Sequence, residues 1–156
     1  MLVYRISDCR YIKDLSGKGA ALYGGRWNNR DTYMVYTAQN RGLALLEAVV
    51  HMGIIPPSGY CMVSIDLPDN SIYYYPPDHL PPDWHQSPAP DYLRLIGDNF
   101  IQSGKYMAMA VPSVLMMEEY NILLNPRHAD FGKVKIKSER ALQMDERLVK
   151  SKVNLK

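Results

Sequence analysis

Cysteine is scarce in this chain: Cys9 and Cys61 are the only two among 156 residues. They lie far apart, with neither CxxC nor zinc-type spacing, which argues against a metal cluster or a redox dithiol. Both are expected to be reduced and structural. There is no run of about 20 apolar residues and no apolar stretch of signal-peptide length behind MLVYRISDCR. No membrane span or secretory leader is therefore expected, and the cytoplasm is the expected compartment. An excess of one charge is missing as well. Eighteen basic against sixteen acidic residues leave +2, too little for nucleic-acid binding over the whole surface. The Gly-rich stretch GKGAALYGG is not GxGxxG, because position 22 is Leu, and GxxxxGK[ST] does not occur, which disfavours a Rossmann or P-loop nucleotide site.

What is present is a globular composition, 47% hydrophobic and 22% charged, at the size of one compact domain. Charge is uneven. Residues 133–156 hold eight Lys and Arg against Glu139, Asp145 and Glu146, and this basic end reads as a solvated terminal segment before it reads as a nucleic-acid contact.

Leu2 to Ile6 and Tyr33 to Ala38 read as strands, and the stretch between them, with glycines at 17, 19, 24 and 25, reads as a loop. Asn40 can cap a helix carrying Leu43, Leu46, Glu47, Val50 and His51 on one face, stopped by Gly53, Pro56 and Pro57. Tyr60 to Leu67 alternates like a strand, and Ser71 to Tyr75 is expected to pair with it across a Pro68–Asn70 turn. YYYPPDHLPPDWHQSPAP holds six of the eleven prolines and reads as an irregular surface excursion. Helical spacing over Asp91 to Ser103 ends at Gly104. Tyr106 to Val111 reads as a buried strand, and Lys133 to Lys137 as an edge strand whose lysines discourage further pairing. The order predicts a single α+β domain.

Glu47 is the sharpest anomaly, a carboxylate within LALLEAVVHM on the face of Leu43 and Val50. Burying such a group costs several kcal/mol (about 3 or more) unless it is paired or used. A structural ion pair or a contact with His51 is as good a reading from position alone. Glu47 and His51 do not form HExxH, so no metal is assigned. Gly24-Gly25-Arg26-Trp27-Asn28 offers a turn, a planar cation that can clamp a pyrophosphate, and a ring that can stack. A structural turn with a core tryptophan fits equally well. Behind the buried strand lie Ser113, Asn121, Asn125, Pro126 and His128. Ser113 lacks GxSxG surroundings, so it is more plausible as a ligand-orienting or turn-capping hydroxyl than as a nucleophile. Tyr36 could present ring and hydroxyl to a pocket or pack in the core.

Taken together, Tyr4-Arg5, GGRWN at 24–28, Val35-Tyr36-Thr37-Ala38, Leu46-Glu47 with His51, Val111-Pro112-Ser113, Asn121 with Leu124-Asn125-Pro126 and His128, and Asp145 with Arg147-Leu148 resemble the RES-domain family. The likeness spans nearly the whole chain except the Pro-rich stretch and the end after Leu148, giving a domain over residues 1–148 and a basic tail over 149–156. It implies a fold similar to the diphtheria-toxin type of ADP-ribosyltransferase. It implies the toxin of a bacterial type II toxin–antitoxin pair, held in an oligomeric complex by an Xre-like helix-turn-helix antitoxin through which alone it would contact DNA. It also implies NAD as a consumed substrate, with no regenerated cofactor and with water, inorganic phosphate or a protein as acceptor. Carried across, Arg26, Tyr36, Glu47 and Ser113 become the catalytic set, and Gly25, Arg26, Trp27, Asn28, Tyr36, Ser113 and Asn125 the NAD-binding set. Degradation of NAD is the first expectation and transfer of ADP-ribose to a protein the second. A non-catalytic or RNA-directed module using the basic tail is the alternative from another class.

Overall fold

The computed structural model describes residues 1–51 and 59–150, with side chains to Leu148. Seven strands form one sheet in the order β4-β5-β6-β2-β1-β3-β7. They are β1 (Leu2–Asp8), β2 (Val35–Ala38), β3 (Tyr60–Asp66), β4 (Ile72–Tyr74), β5 (Ala108–Pro112), β6 (Tyr120–Leu124) and β7 (Lys135–Leu142). Among the described residues four α-helices accompany them: α1 (Lys18–Tyr23), α2 (Arg41–His51), α3 (Asp91–Ser103) and α4 (Glu146–Lys150). All pairings are antiparallel except β4 with β5. The α+β single domain is as expected.

Strand alternation divides the apolar side chains between two faces. Val3, Val35, Val63, Ala108, Ala110, Ile122 and Leu124 share one face with Ile12, and Leu15 and Phe131 pack against them. Met109, Val111 and Leu123 point the other way, meeting Leu93 and Phe100 of α3 together with Trp27 and Leu80. On that second face Leu43 and Ala44 of α2 cover Tyr4 and Ala38. Helices α2 and α3 thus lie on the same side of the sheet, and the second face is where functional side chains can gather between them.

Four expectations are corrected. The glycine stretch is not all loop, since Lys18–Tyr23 forms α1 between Gly17 (φ 74°) and Gly24 (φ 73°). Those positive-φ glycines bound a six-residue run, and such a short helix has too few turns to display a period. Ile72–Tyr74 does not pair with β3, whose two edges are taken by β1 and β7; it joins β5 in parallel, Ile72 opposite Ala108. Strand β6 is an element the sequence reading does not contain. Lastly, Cys9 and Cys61 form a disulfide, with Cα atoms 4.8 Å apart. Register places Ser7 opposite Cys61, so the antiparallel β1–β3 pair brings together two residues whose sequence spacing says nothing about proximity.

Helix α4 is likewise absent from the sequence reading, and the other elements agree in place. β7 is an edge strand, beginning two residues later than expected and running on to Leu142. The stop signals at Gly53, Pro56 and Pro57, and the tail beyond Lys150, lie outside the described residues. Among the described residues no helix is long and apolar enough to cross a membrane, and no cluster of His, Cys, Asp and Glu could hold a metal ion.

Candidate active site

Helix α2 begins where Asn40 Oδ1 accepts the Leu43 backbone N–H at 2.8 Å, the expected cap. The Asn40 amide donates to Glu119 Oε2 at 2.8 Å, and Gln39 N–H donates to the Tyr120 carbonyl at 3.1 Å. These contacts bind the start of the helix to the turn between β5 and β6. Leu43 and Ala44 are buried beneath α2, whereas Leu46 and Val50 are exposed, so only part of the expected apolar face is covered.

Glu47 sits at that boundary, its side chain 25% exposed. Its Oε1 accepts hydrogen bonds from Ser113 Oγ at 3.0 Å and from Asn121 Nδ2 at 2.6 Å. Its Oε2 lies 3.7 Å from Nε2 of the exposed His51, beyond hydrogen-bond reach. The carboxylate is therefore tethered through Oε1, while Oε2 pairs loosely with the exposed His51 imidazole. Ser113 itself is fully buried just past β5, where its hydroxyl also accepts the Leu115 N–H at 3.1 Å.

Arg26 approaches the same region. Its guanidinium donates to the carbonyls of Trp84 (3.0 Å) and Gln86 (3.1 and 3.2 Å), both on the Pro-rich excursion. Partial burial draws the Arg26 pKa below its usual value, and the nearby Glu47 charge acts in the opposite direction. Neutral carbonyls satisfy the N–H groups but leave the positive charge unneutralised, so the position favours an anion. The excursion is no free loop. Leu80 is buried in the α3 cluster, Trp84 packs beside it, and Tyr92 of α3 donates to Asp83 at 2.9 Å.

Tyr36 is engaged at its hydroxyl, which accepts Trp27 N–H at 3.1 Å and donates to Asn28 Oδ1 at 2.7 Å. Burial raises its pKa far above the ordinary phenol value. Gly25 packs so closely here that a Cβ would come within 2.6 Å of the Tyr36 hydroxyl oxygen and 2.9 Å of Asn28 Oδ1.

Residues 2–145 match the family profile of the RES domain. The chain belongs to the RES domain family. Among similar proteins are Toxin Res of Photorhabdus laumondii, 38% identical over 97% of this chain and 99% of that protein, and Toxin Res of Yersinia enterocolitica, 37% identical over 84% and 88%. Prs ADP-ribosylating toxin of a Sphingobium species is 39% identical over 88% of each. A chain of the M. tuberculosis MbcT–MbcA toxin–antitoxin complex superposes with a TM-score of 0.71 at 16% identity, over 91% of this chain and 84% of that one, and so shares the fold.

Within this RES domain the residues singled out from the sequence separate into two groups. Glu47 and Ser113 meet directly, and Arg26 lies within reach of the Glu47 charge. Tyr36 and Gly25 build the wall beside Arg26. Trp27 and Asn28, expected against NAD, are both buried and held by internal contacts. Trp27 is 2% exposed in the α3 cluster, and Asn28 is fully buried, its amide donating to the carbonyls of Ala20, Asn29 and Thr32. Of GGRWN, only the Arg26 side chain is free of the core. Asn125 lies apart from Glu47. Its amide donates to the Ile101 carbonyl, its Oδ1 accepts the Arg127 N–H, and four residues of strand, about 13 Å, separate it from Asn121. His128 accepts the Asp130 N–H in that same distant loop. Asn121 and the Trp84–Gln86 carbonyls are the contributors missing from the expected set. The first looks like any strand asparagine, and the second belong to backbone, which composition does not reveal.

Proposed function

We propose that this RES domain is the toxin of a toxin–antitoxin pair and that it consumes NAD by cleaving the nicotinamide–ribose bond. The observation that carries this reading is the partly exposed Glu47, tethered through Oε1 with Oε2 beside the exposed His51, in a chain whose relatives are named as toxins.

When the C1′–N bond of the NAD ribose breaks, its electron pair passes to the pyridinium nitrogen and neutral nicotinamide departs. The ribose is left oxocarbenium-like. Such a leaving group needs no acid, and the developing positive charge is stabilised by a fixed carboxylate. Glu47 supplies that charge or holds the incoming oxygen, which bonds to C1′ and releases its proton to solution. Arg26 binds the pyrophosphate once the excursion carbonyls give way, Tyr36 offers ring surface to the nicotinamide, and the Ser113 hydroxyl orients Glu47. NAD is a substrate here; no regenerated cofactor is invoked. The shared fold with a chain of the MbcT–MbcA complex supports a protein antitoxin as partner.

Water or inorganic phosphate as acceptor gives degradation. The Sphingobium relative's name favours a second reading, transfer of ADP-ribose to a protein through the same bond cleavage. Incubating pure protein with NAD, with and without phosphate, tests both. Free ADP-ribose or its phosphate ester is expected for degradation, and label retained on protein marks transfer. Unchanged nicotinamide release by Glu47→Gln and Arg26→Ala would falsify the site.

A further inference from the structure

A glutamate on a helix samples several rotamers of similar energy, and holding it in one costs side-chain entropy. Two donors on the same oxygen meet that cost and leave the second oxygen with only the 3.7 Å approach of the exposed His51 imidazole. Asn121 and Ser113 both donate to Oε1 of Glu47, at 2.6 and 3.0 Å. Their supports differ. Asn121 lies on β6 inside the sheet, opposite Val111 of β5 and Ala38 of β2, so its backbone is fixed on both sides. Ser113 stands just beyond the end of β5, where its N–H donates to the Glu119 carbonyl at 2.8 Å and its hydroxyl is shared with the Leu115 N–H. The asparagine is the rigid tether.

We propose that Asn121 is a positioning residue for Glu47: by donating to Oε1 it presents Oε2 to the ribose of the bound dinucleotide. The proposal rests on the NAD-cleaving reading. An amide suits the task because it donates without carrying charge, so it fixes the carboxylate and leaves its negative charge available to the transition state. A lysine or arginine at that position would hold the oxygen and neutralise it. Since the interaction acts on alignment and the amide is spent on Glu47, its loss should affect turnover and leave substrate affinity largely unchanged.

The test is steady-state nicotinamide release from NAD by the full chain and by Asn121→Asp and Asn121→Ser, with thermal melts of each. Asn121→Asp keeps the shape but sets an acceptor against Oε1. Asn121→Ser shortens the arm and serves if the aspartate variant fails to fold. The expected result is a kcat loss on the order of 100-fold with KM for NAD within a few-fold, about 3, in protein that still melts cooperatively. Unchanged kcat in an active wild-type background, or a fall in kcat tracked by an equal rise in KM, overturns the proposal alone. Wild-type protein that releases no nicotinamide overturns the functional reading and the positioning role with it.

Discussion

At the scale of single residues, the hydroxyl of Tyr36 joins the Trp27 backbone to the Asn28 side chain, and both partners are otherwise out of solvent. Tyr36→Phe keeps the ring and strands a buried N–H and a buried amide oxygen, which costs about 1–3 kcal/mol. Chemical denaturation near neutral pH should show that loss. The same burial sets a pH dependence. The folded-state pKa of Tyr36 is raised above its ordinary value of 10.0, so the unfolded chain loses this proton first as pH climbs. Stability is fully present below that value and declines as pH rises through the folded one. Wild-type stability measured from about pH 8 to about pH 11 should therefore fall at the alkaline end. The phenylalanine variant, weaker at the start, should fall less steeply, with Tyr75 and Tyr92 contributing the rest because their pKa values are also raised. Glu47 was legible in the sequence because a carboxylate amid Leu, Ala and Val conflicts with its surroundings. Asn121 was noticed but given no role, because an asparagine preceding ILL points to no partner until β6 is known to lie between β2 and β5.

Among the elements, the link between α2 and the β5–β6 turn decides where Glu47 stands. Asn40 serves both ends of that link, its oxygen capping the helix and its amide reaching Glu119. Asn40→Ala should lower stability by about 1 kcal/mol, the usual cost of a lost cap. Asn40→Ser keeps a capping oxygen and gives up the Glu119 contact, so it should melt between wild type and Asn40→Ala; a serine variant no better than alanine would show that the turn contact, and not the cap, holds the helix. Helices α2 and α3 were legible because each carries a period and a terminator over several turns. Strand β6 was hidden for the opposite reason. Ile122, Leu123 and Leu124 are all fully buried, two toward one face of the sheet and one toward the other, so no alternation survives to mark a strand. The Pro-rich excursion was correctly irregular, yet its carbonyls reach Arg26 through tertiary contacts that no local pattern encodes.

For the whole molecule, the sheet separates two kinds of duty. Glu47, Asn121 and Arg26 gather on the side covered by α2 and α3, while Cys61 belongs to the cluster on the opposite face and Cys9 packs against it. The disulfide spans a sequence separation of 52, and a loop of that length, closed in the unfolded chain, is worth up to about 4 kcal/mol on chain entropy alone. Reduction should therefore shift the urea midpoint down, and Cys9→Ser should match the reduced wild type. Because the bond acts on the unfolded chain and lies across the sheet from the carboxylate, nicotinamide release at temperatures well below the melt should be equal in oxidised and reduced protein. A reduced chain with an unchanged midpoint would refute the stabilising role. One that keeps its stability margin but loses turnover would show that the two faces are coupled through β1 and β2, the strands that join the disulfide to the floor beneath α2.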